Sequence, residues 1–259
     1  MRPGIDEVRK YWDTRPCNVR HSRAEVGTRQ YFDEVEERRY FVEPHIVPFA
    51  EFDRWAGKTV LEVGCGIGTD TIRFARAGAS VTAIDVSSRS LDLARQRAEV
   101  YGLEDLTRFL LADAEHLDQV LGDEHFDLIY SFGVLHHTPD PAAALRQLRR
   151  LCSDESELRI MLYARNSWKA AMIEAELDQP EAAAGCPIAA TYTLTEAVDL
   201  LEDFRITKIW QDHIFPFNIE HYVNHEYRLE PWFEAMPDAM FQALKQSFGW
   251  HLLIRAVPA

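Results

Sequence analysis

From residue 59 onward the chain predicts an α/β fold, a doubly wound, mostly parallel sheet of seven strands with helices on both faces. Three observations predict it. Short apolar runs alternate with amphipathic helical stretches, the pattern of a parallel sheet covered on both sides. The first run, Val60 to Val63, ends in glycines at alternate positions, Gly64, Gly66 and Gly68, and turns directly into a helix with Ile72, Phe74 and Ala75 on one side and Arg73 and Arg76 on the other. The second and third runs end in acids, Asp85 and Asp113. At 259 residues and 47% hydrophobic composition, the chain suffices for one such domain with a cap.

In chain order, residues 1–57 read as an N-terminal helical arm or lid and 58–259 as the α/β domain. Within the arm, residues 31–53 look helical, with Tyr31, Phe32, Val35, Tyr40 and Phe41 set among Glu34, Glu36, Arg38 and Arg39; Pro44 and Pro48 break or restart the helix. Strand-like runs follow at 59–63, 80–85, 107–112, 126–132, 158–163, 204–211 and 249–257. Helices are expected at 87–101, with Ser87 or Ser88 as N-cap, at 141–151, with Pro141 in the first turn, and at 193–203. The polar run 152–157 reads as a surface turn. Two insertions depart from the alternation. One, at about 164–190, holds a short helix (167–177) and a loop with Pro180, Gly185 and Pro187; the other, at about 212–248, is aromatic-rich and irregular over 214–248. Ligands of open α/β sheets sit at the carboxyl ends of the strands, so these insertions and the arm are expected to form a helical and aromatic cap, the walls of a ligand pocket.

Charge narrows the partners. A net charge of −14 argues against a nucleic-acid substrate, which needs clustered Lys and Arg. Four scattered cysteines without a C-x-x-C pair fit reduced thiols and a cytoplasmic setting. The charged N-terminus does not read as a signal peptide, and no apolar run approaches the ~20 residues needed to span a membrane. Oligomeric state is left open.

The chemistry lies at the strand ends. A strand turning into a helix through glycines presents bare backbone N–H groups to a ligand. An acid about twenty residues later, here Asp85, can accept both hydroxyls of a ribose. The third run leads into Asp113-Ala114-Glu115, and the fourth ends in Ser131-Phe132-Gly133, followed by His136-His137.

This series resembles the class I, Rossmann-like S-adenosylmethionine-dependent methyltransferases, closest to the branch of quinone-biosynthesis and other small-molecule enzymes, over about residues 58–163. The resemblance implies S-adenosyl-L-methionine as cofactor, S-adenosyl-L-homocysteine as product, and a sheet whose last strand is antiparallel. It assigns cofactor contacts to Glu62, Gly64, Cys65, Gly66, Gly68, Asp85, Val86, Asp113 (the family's adenine-binding acid), Ala114, Glu115, Ser131, Phe132 and Gly133. A Pro-Gly-Gly turn common in the family before the fifth strand is absent here. The acceptor is a small molecule with an O, N or C nucleophile. His136 or His137 could act as general base, neutral imidazole being suited to pH 7; the alternative for both is packing. The arm from Tyr11 to Ser22 interleaves aromatics with Arg, Asn and His, so Tyr11, Arg15, Arg20 and His21 are candidates to hold an anionic acceptor. Tyr163, Arg165, Asn166 and Lys169, just past the fifth strand, are further acceptor candidates, and His213 is an alternative base. His221 and His225 lie four apart, but no third ligand accompanies them, and no metal is expected. Other readings stay open: a cofactor-binding module without catalysis, a protein methyltransferase, or an NAD-dependent oxidoreductase, whose G-x-G-x-x-G loop this sequence lacks.

Overall fold

Seven strands, β1 (Thr59–Val63), β2 (Ser80–Asp85), β3 (Thr107–Leu111), β4 (Phe126–Phe132), β5 (Cys152–Tyr163), β6 (Phe204–Asp212) and β7 (His251–Pro258), form one sheet in the order β3-β2-β1-β4-β5-β7-β6. The structure is a computed structural model and describes residues 3–177 and 185–259; Pro180 lies outside the described residues. β1 pairs in parallel with β2 and β4, β2 with β3, and β4 with β5, whereas β7 runs antiparallel to both β5 and β6. The expected doubly wound sheet with its antiparallel last strand is therefore present. The chain works outward from β1 to β3, then crosses back to β4 on β1's other side. That reversal opens a crevice at the carboxyl ends of β1 and β4.

Successive residues of the central strands serve opposite faces. Leu61 and Ile129 join one buried cluster, with Leu145 and Leu148; Val60 and Leu128 join the other, with Phe74, Leu91 and Trp55. Burial on both faces explains why β1 and β4 read as continuous apolar runs. Helices α4 (Thr69–Arg76), α5 (Ser88–Tyr101), α6 (Asp118–Leu121) and α7 (Pro141–Arg150) fill the crossovers among β1 to β5. Ser87 caps α5, its hydroxyl accepting from the Ser90 N–H, and Asp140 caps α7, whose first residue is Pro141.

The arm contains three helices, numbered here in chain order ahead of those above: α1 (Ile5–Thr14), α2 (Arg29–Val42) and α3 (Ile46–Ala50). The helical stretch expected at 31–53 divides just before Pro44, and Pro48 falls in the first turn of α3, where its missing N–H costs nothing. Tyr31, Phe32 and Val35 of α2 pack with Ile67. The fully buried Arg97 of α5 donates to the Phe32 carbonyl (3.1 Å), Glu36 Oε2 (3.1 Å) and Thr69 Oγ1 (2.6 Å), binding α2, α4 and α5 together.

Two expectations are corrected. Residues 152–157 are not a surface turn but the first half of β5. Phe126 pairs with Cys152 and Leu128 already with Glu157, so the register jumps; the Ser156 hydroxyl closes the irregularity by donating to the Phe126 carbonyl (2.6 Å) and accepting from the Ser153 N–H (2.8 Å). The late insertion is not irregular either. After α8 (Trp168–Glu174) and α9 (Leu194–Leu200), it folds as α10 (Ile219–Tyr222), α11 (Pro231–Glu234) and α12 (Asp238–Phe248). None of α12's residues is fully buried, and Met240 and Phe248 are exposed, although Phe241, Leu244 and Phe248 recur at i, i+3, i+7.

Candidate functional site

The turn after β1 builds the floor of the crevice. Gly64, Gly66 and Gly68 have φ of 75°, 53° and 74°, a left-handed backbone that glycine adopts without steric cost. A Cβ on Gly64 would lie 2.2 Å from Val134 Cγ2, so this glycine permits close packing against the loop after β4. A Cβ on Gly66 would meet nothing within 4 Å, because Gly66 faces open space. Gly68 serves a different purpose from the one expected. It lies outside the cleft lining, and a Cβ there would come within 3.0 Å of Ala94 Cβ, so it lets α4 approach α5.

Above this turn opens a cleft lined by the ends of β1, β2 and β4 and by residues of α1 and α2. Asp85, at the end of β2, lines it. Its carboxylate accepts from the Gly66 N–H (2.8 Å) and the Ser87 N–H (2.9 Å), and burial pushes its pKa up to about 6. Glu62 is buried beside it, takes the Thr71 hydroxyl proton as a hydrogen bond, and is pushed well above the usual carboxylate range by burial and then by neighbouring Asp70. Cys65, Val86, Ala114, Phe132 and Gly133 also line the cleft. Asp113 combines both roles weighed for such an acid: it lines the cleft and caps the following turn, accepting from the Glu115 N–H (3.0 Å). Glu115 and Ser131 do not reach the cleft. Glu115 accepts from the Asp140 N–H (2.7 Å), and the Ser131 hydroxyl is sealed without a partner among the described residues.

The two histidines separate sharply. His136 does not face the cleft; its ring is fully buried, its centroid lies 3.7 Å from that of Tyr163, and both ring nitrogens are sealed without partners among the described residues. Pointing the next residue outward leaves His136 to pack. His137 lines the cleft, and its Nδ1–H donates to the Ile188 carbonyl (2.6 Å), leaving Nε2 as the lone-pair nitrogen. Burial lowers its pKa, with the Ile188 bond opposing, so the ring is neutral at pH 7.

Helix α1 roofs the cleft through Ile5, Val8 and Trp12, the last with its ring 5.5 Å from His137. Asp13 pins the roof by accepting from the Ser87 hydroxyl (2.8 Å) at the cap of α5. The arm residues singled out in the sequence stay outside the lining: Tyr11 packs edge-on against Trp12, Arg15 lies beside Tyr11, Arg20 is exposed, and His21 is half-buried, with its pKa pushed down to about 3 by burial of its ring and then by Arg38. Tyr163 is stacked between His136 and Trp250; Arg165 binds Glu196 (2.7 Å) and the Thr191 carbonyl (2.7 Å); the Asn166 carbonyl accepts from Gln211 (2.8 Å); Lys169 lies on α8. None of these four lines the cleft. His213 is also outside it, buried among His45 and His251.

What sequence reasoning missed is Arg39, the only Arg or Lys lining the cleft among the described residues, with its partner Asp70. Arg39 Nη2 lies 3.0 Å from Asp70 Oδ2, and the same carboxylate accepts from the hydroxyls of Tyr40 (2.8 Å) and Tyr130 (3.1 Å). In the run Glu36-Glu37-Arg38-Arg39 nothing marks one arginine as inward-facing. Trp12 had a signal, the i, i+3, i+7 spacing of Ile5, Val8 and Trp12.

A family model described as a methyltransferase domain covers residues 55–217. Methyltransferase GfsG of Streptomyces halstedii is 38% identical over 113 residues, 43% of this chain and 40% of the relative. A ubiquinone biosynthesis O-methyltransferase of Actinobacillus pleuropneumoniae serotype 5b is 37% identical over 103 residues, 39% of this chain and 44% of the relative. The chain thus matches less than half the length of these curated relatives. In fold it resembles the solved geranyl diphosphate C-methyltransferase of Streptomyces coelicolor A3(2), with a TM-score of 0.63 at 13% identity over 98% of this chain and 97% of that one.

Proposed function

The chain belongs to the methyltransferase-domain family, and from that premise we propose that it transfers a methyl group from S-adenosyl-L-methionine to a nucleophilic atom of a small-molecule acceptor, with S-adenosyl-L-homocysteine as the other product. The observation that carries this reading is the half-buried Asp85 carboxylate at the switch point, lining the cleft beside a glycine turn whose Gly66 leaves room where any side chain would intrude.

The cleft's residues fit that cofactor. Asp85 has only backbone N–H partners among the described residues, and its remaining lone pairs can take ribose hydroxyls. Asp113 offers an acceptor for an exocyclic amino group, and the Arg39 guanidinium a partner for an amino-acid carboxylate. When bound, the cofactor supplies a sulfonium-activated methyl group.

The protein's own work is placement, exclusion of water and, for a hydroxyl acceptor, removal of a proton. Ile5, Val8 and Trp12 of α1 close the cleft with apolar surface, which shuts out water and favours a single geometry of approach. His137 Nε2 takes the proton of the acceptor hydroxyl, while the Ile188 carbonyl steadies the positive ring through Nδ1–H. The small-molecule reading rests on the apolar α1 residues that line this cleft and on the net charge of −14, which disfavours nucleic acid. Among the described residues no helix is long and apolar enough to cross a membrane. A cytoplasmic setting belongs to the same reading.

Calorimetric titration with S-adenosylhomocysteine and with NAD tests the cofactor. A metabolite screen with methyl-labelled S-adenosylmethionine tests the transfer. Binding of NAD alone, or cofactor binding with no labelled product, would overturn the proposal.

A further inference from the structure

Outside the cleft, three chain segments bring a second cluster of chemistry-bearing side chains together. Glu43 follows α2, His213 lies in the turn after β6, and His251 opens β7; one ligand atom from each lies within 4.8 Å of the other two. Both histidines are buried. His45 completes the cluster, its Nε2 lying 2.8 Å from His251 Nδ1. One of these rings must donate and the other accept, so His45 sets the tautomer of His251, and His45 Nδ1 is itself sealed without a partner among the described residues.

The backbone holds this arrangement under constraint. His213 has φ of 72°, a left-handed conformation uncommon for a residue with a side chain. It is kept there by two bonds: the Trp250 N–H donates to its carbonyl (2.7 Å), and its own N–H donates to Asp212 Oδ1 (2.7 Å). Of the cations nearby, Lys245 pairs with Asp212 (2.9 Å) and Arg39 with Asp70 (3.0 Å), and Arg39 also feels the Glu43 charge. Two imidazoles and a carboxylate are the donor set of a borderline first-row ion, whereas magnesium and calcium require oxygens throughout. His251 Nδ1 meets His45 Nε2 (2.8 Å) and lies 3.8 Å from Glu43 Oε1; with His251 ligating through Nε2, the His45 bond to its second nitrogen is the usual companion of such sites.

We propose that Glu43, His213 and His251 form a binding site for a divalent ion of the zinc type, with His45 as a positioning residue. The site sits behind Phe132, whose ring is 5.4 Å from that of His251 and 5.9 Å from that of His45, and Phe132 lines the cleft. Its ion therefore ties the arm to the two last strands beside the cleft. Three protein donors leave a tetrahedral ion one position for water or an acceptor oxygen. The site does not depend on methyl transfer.

The test uses the full chain, stripped with a chelator, dialysed, and titrated with Co²⁺ as a spectroscopic probe and with Zn²⁺ against an indicator dye. The expected result is one equivalent of ion, a saturable ligand-field band, and a rise in melting temperature on Zn²⁺ addition. Glu43→Gln, which keeps the size of the side chain, abolishes the one-equivalent band and the thermal shift, as does His213→Asn. His45→Asn keeps the stoichiometry but weakens Zn²⁺ binding about 10–100-fold. A wild-type chain that retains no stoichiometric ion, or a Glu43→Gln variant that binds as the wild type does, overturns the proposal. S-adenosylhomocysteine affinity, measured on the same stripped protein, reports on the methyltransferase reading separately.

Discussion

Asp85 offers the sharpest test of the proposed cofactor site, because its burial leaves a signature in pH. The carboxyl moves from an ordinary 3.8 to about 6. A difference of that size corresponds to about 3 kcal/mol. The native state holds this proton more tightly than the unfolded chain does. The stabilisation from protonated Asp85 is thus complete below about pH 4, falls as pH rises to about 6, and is gone above that. Ligand binding runs the other way. Ribose hydroxyls donate to the carboxylate and not to the acid, so affinity for S-adenosylhomocysteine should be full above about pH 7. At about pH 5 only about a tenth of Asp85 is ionised, and the affinity drops about tenfold, or about 1.4 kcal/mol. Calorimetry across this range on the wild type and on Asp85→Asn isolates the effect, since the variant carries every other titration. The variant should bind more weakly by about 1–3 kcal/mol at neutral pH and lack the acid-side loss. Urea unfolding should show wild-type stability falling between about pH 4 and 7 relative to the variant. Parallel pH profiles for the two proteins would refute the assignment of Asp85 to the ribose.

Three further outcomes follow from the geometry. Gly66→Ala should cost about 1–2 kcal/mol of stability through its left-handed backbone yet sharply reduce cofactor affinity, whereas Gly64→Ala, with a Cβ 2.2 Å from Val134, should melt at a clearly lower temperature than Gly66→Ala; the reverse order in a thermal melt contradicts the roles given to the two glycines. His137→Asn should lower kcat for a hydroxyl acceptor by about 10²–10⁴-fold and leave the cofactor dissociation constant within about twofold, both read from steady-state kinetics and calorimetry. Asp13→Ala removes the bond from the Ser87 hydroxyl (2.8 Å) that pins α1; stopped-flow fluorescence should show cofactor release accelerated about fivefold, the equivalent of about 1 kcal/mol, with association little changed.

The cofactor half of the molecule was legible because it is local. β1, β2 and β4 are apolar on both faces, so their runs announce themselves without knowledge of neighbours, and the glycine turn and Asp85 sit within one strand–helix–strand unit. The first half of β5 was hidden because Ser153-Asp154-Glu155 is polar and pairs through a register jump, and polar runs read as turns. His136 and His137 could not be told apart, since adjacent residues share composition and only the turn geometry sends one inward and the other to the cleft. The arm's cations drew attention as ligand contacts, yet the residues that reach the cleft from α1 are its apolar stripe. The Glu43–His45–His213–His251 cluster joins positions about 200 residues apart, a distance no spacing rule bridges.

The Arg39–Asp70 pair shows why the arm cannot be treated as an accessory to the α/β domain. Asp70 stands in the first turn of α4, immediately after the glycine loop, and is almost wholly buried. Its charge is tolerable there because three donors converge on it, and two of them, Arg39 and Tyr40, come from α2 in the arm. Taking away the arginine leaves a buried carboxylate held by two phenols, a loss of about 3–5 kcal/mol for an unmatched internal charge. The same loss removes the only Arg or Lys lining the cleft among the described residues. Stability of the glycine turn and charge balance of the site are therefore set by one ion pair, and the arm that supplies half of it must be folded before the cleft exists in its binding form.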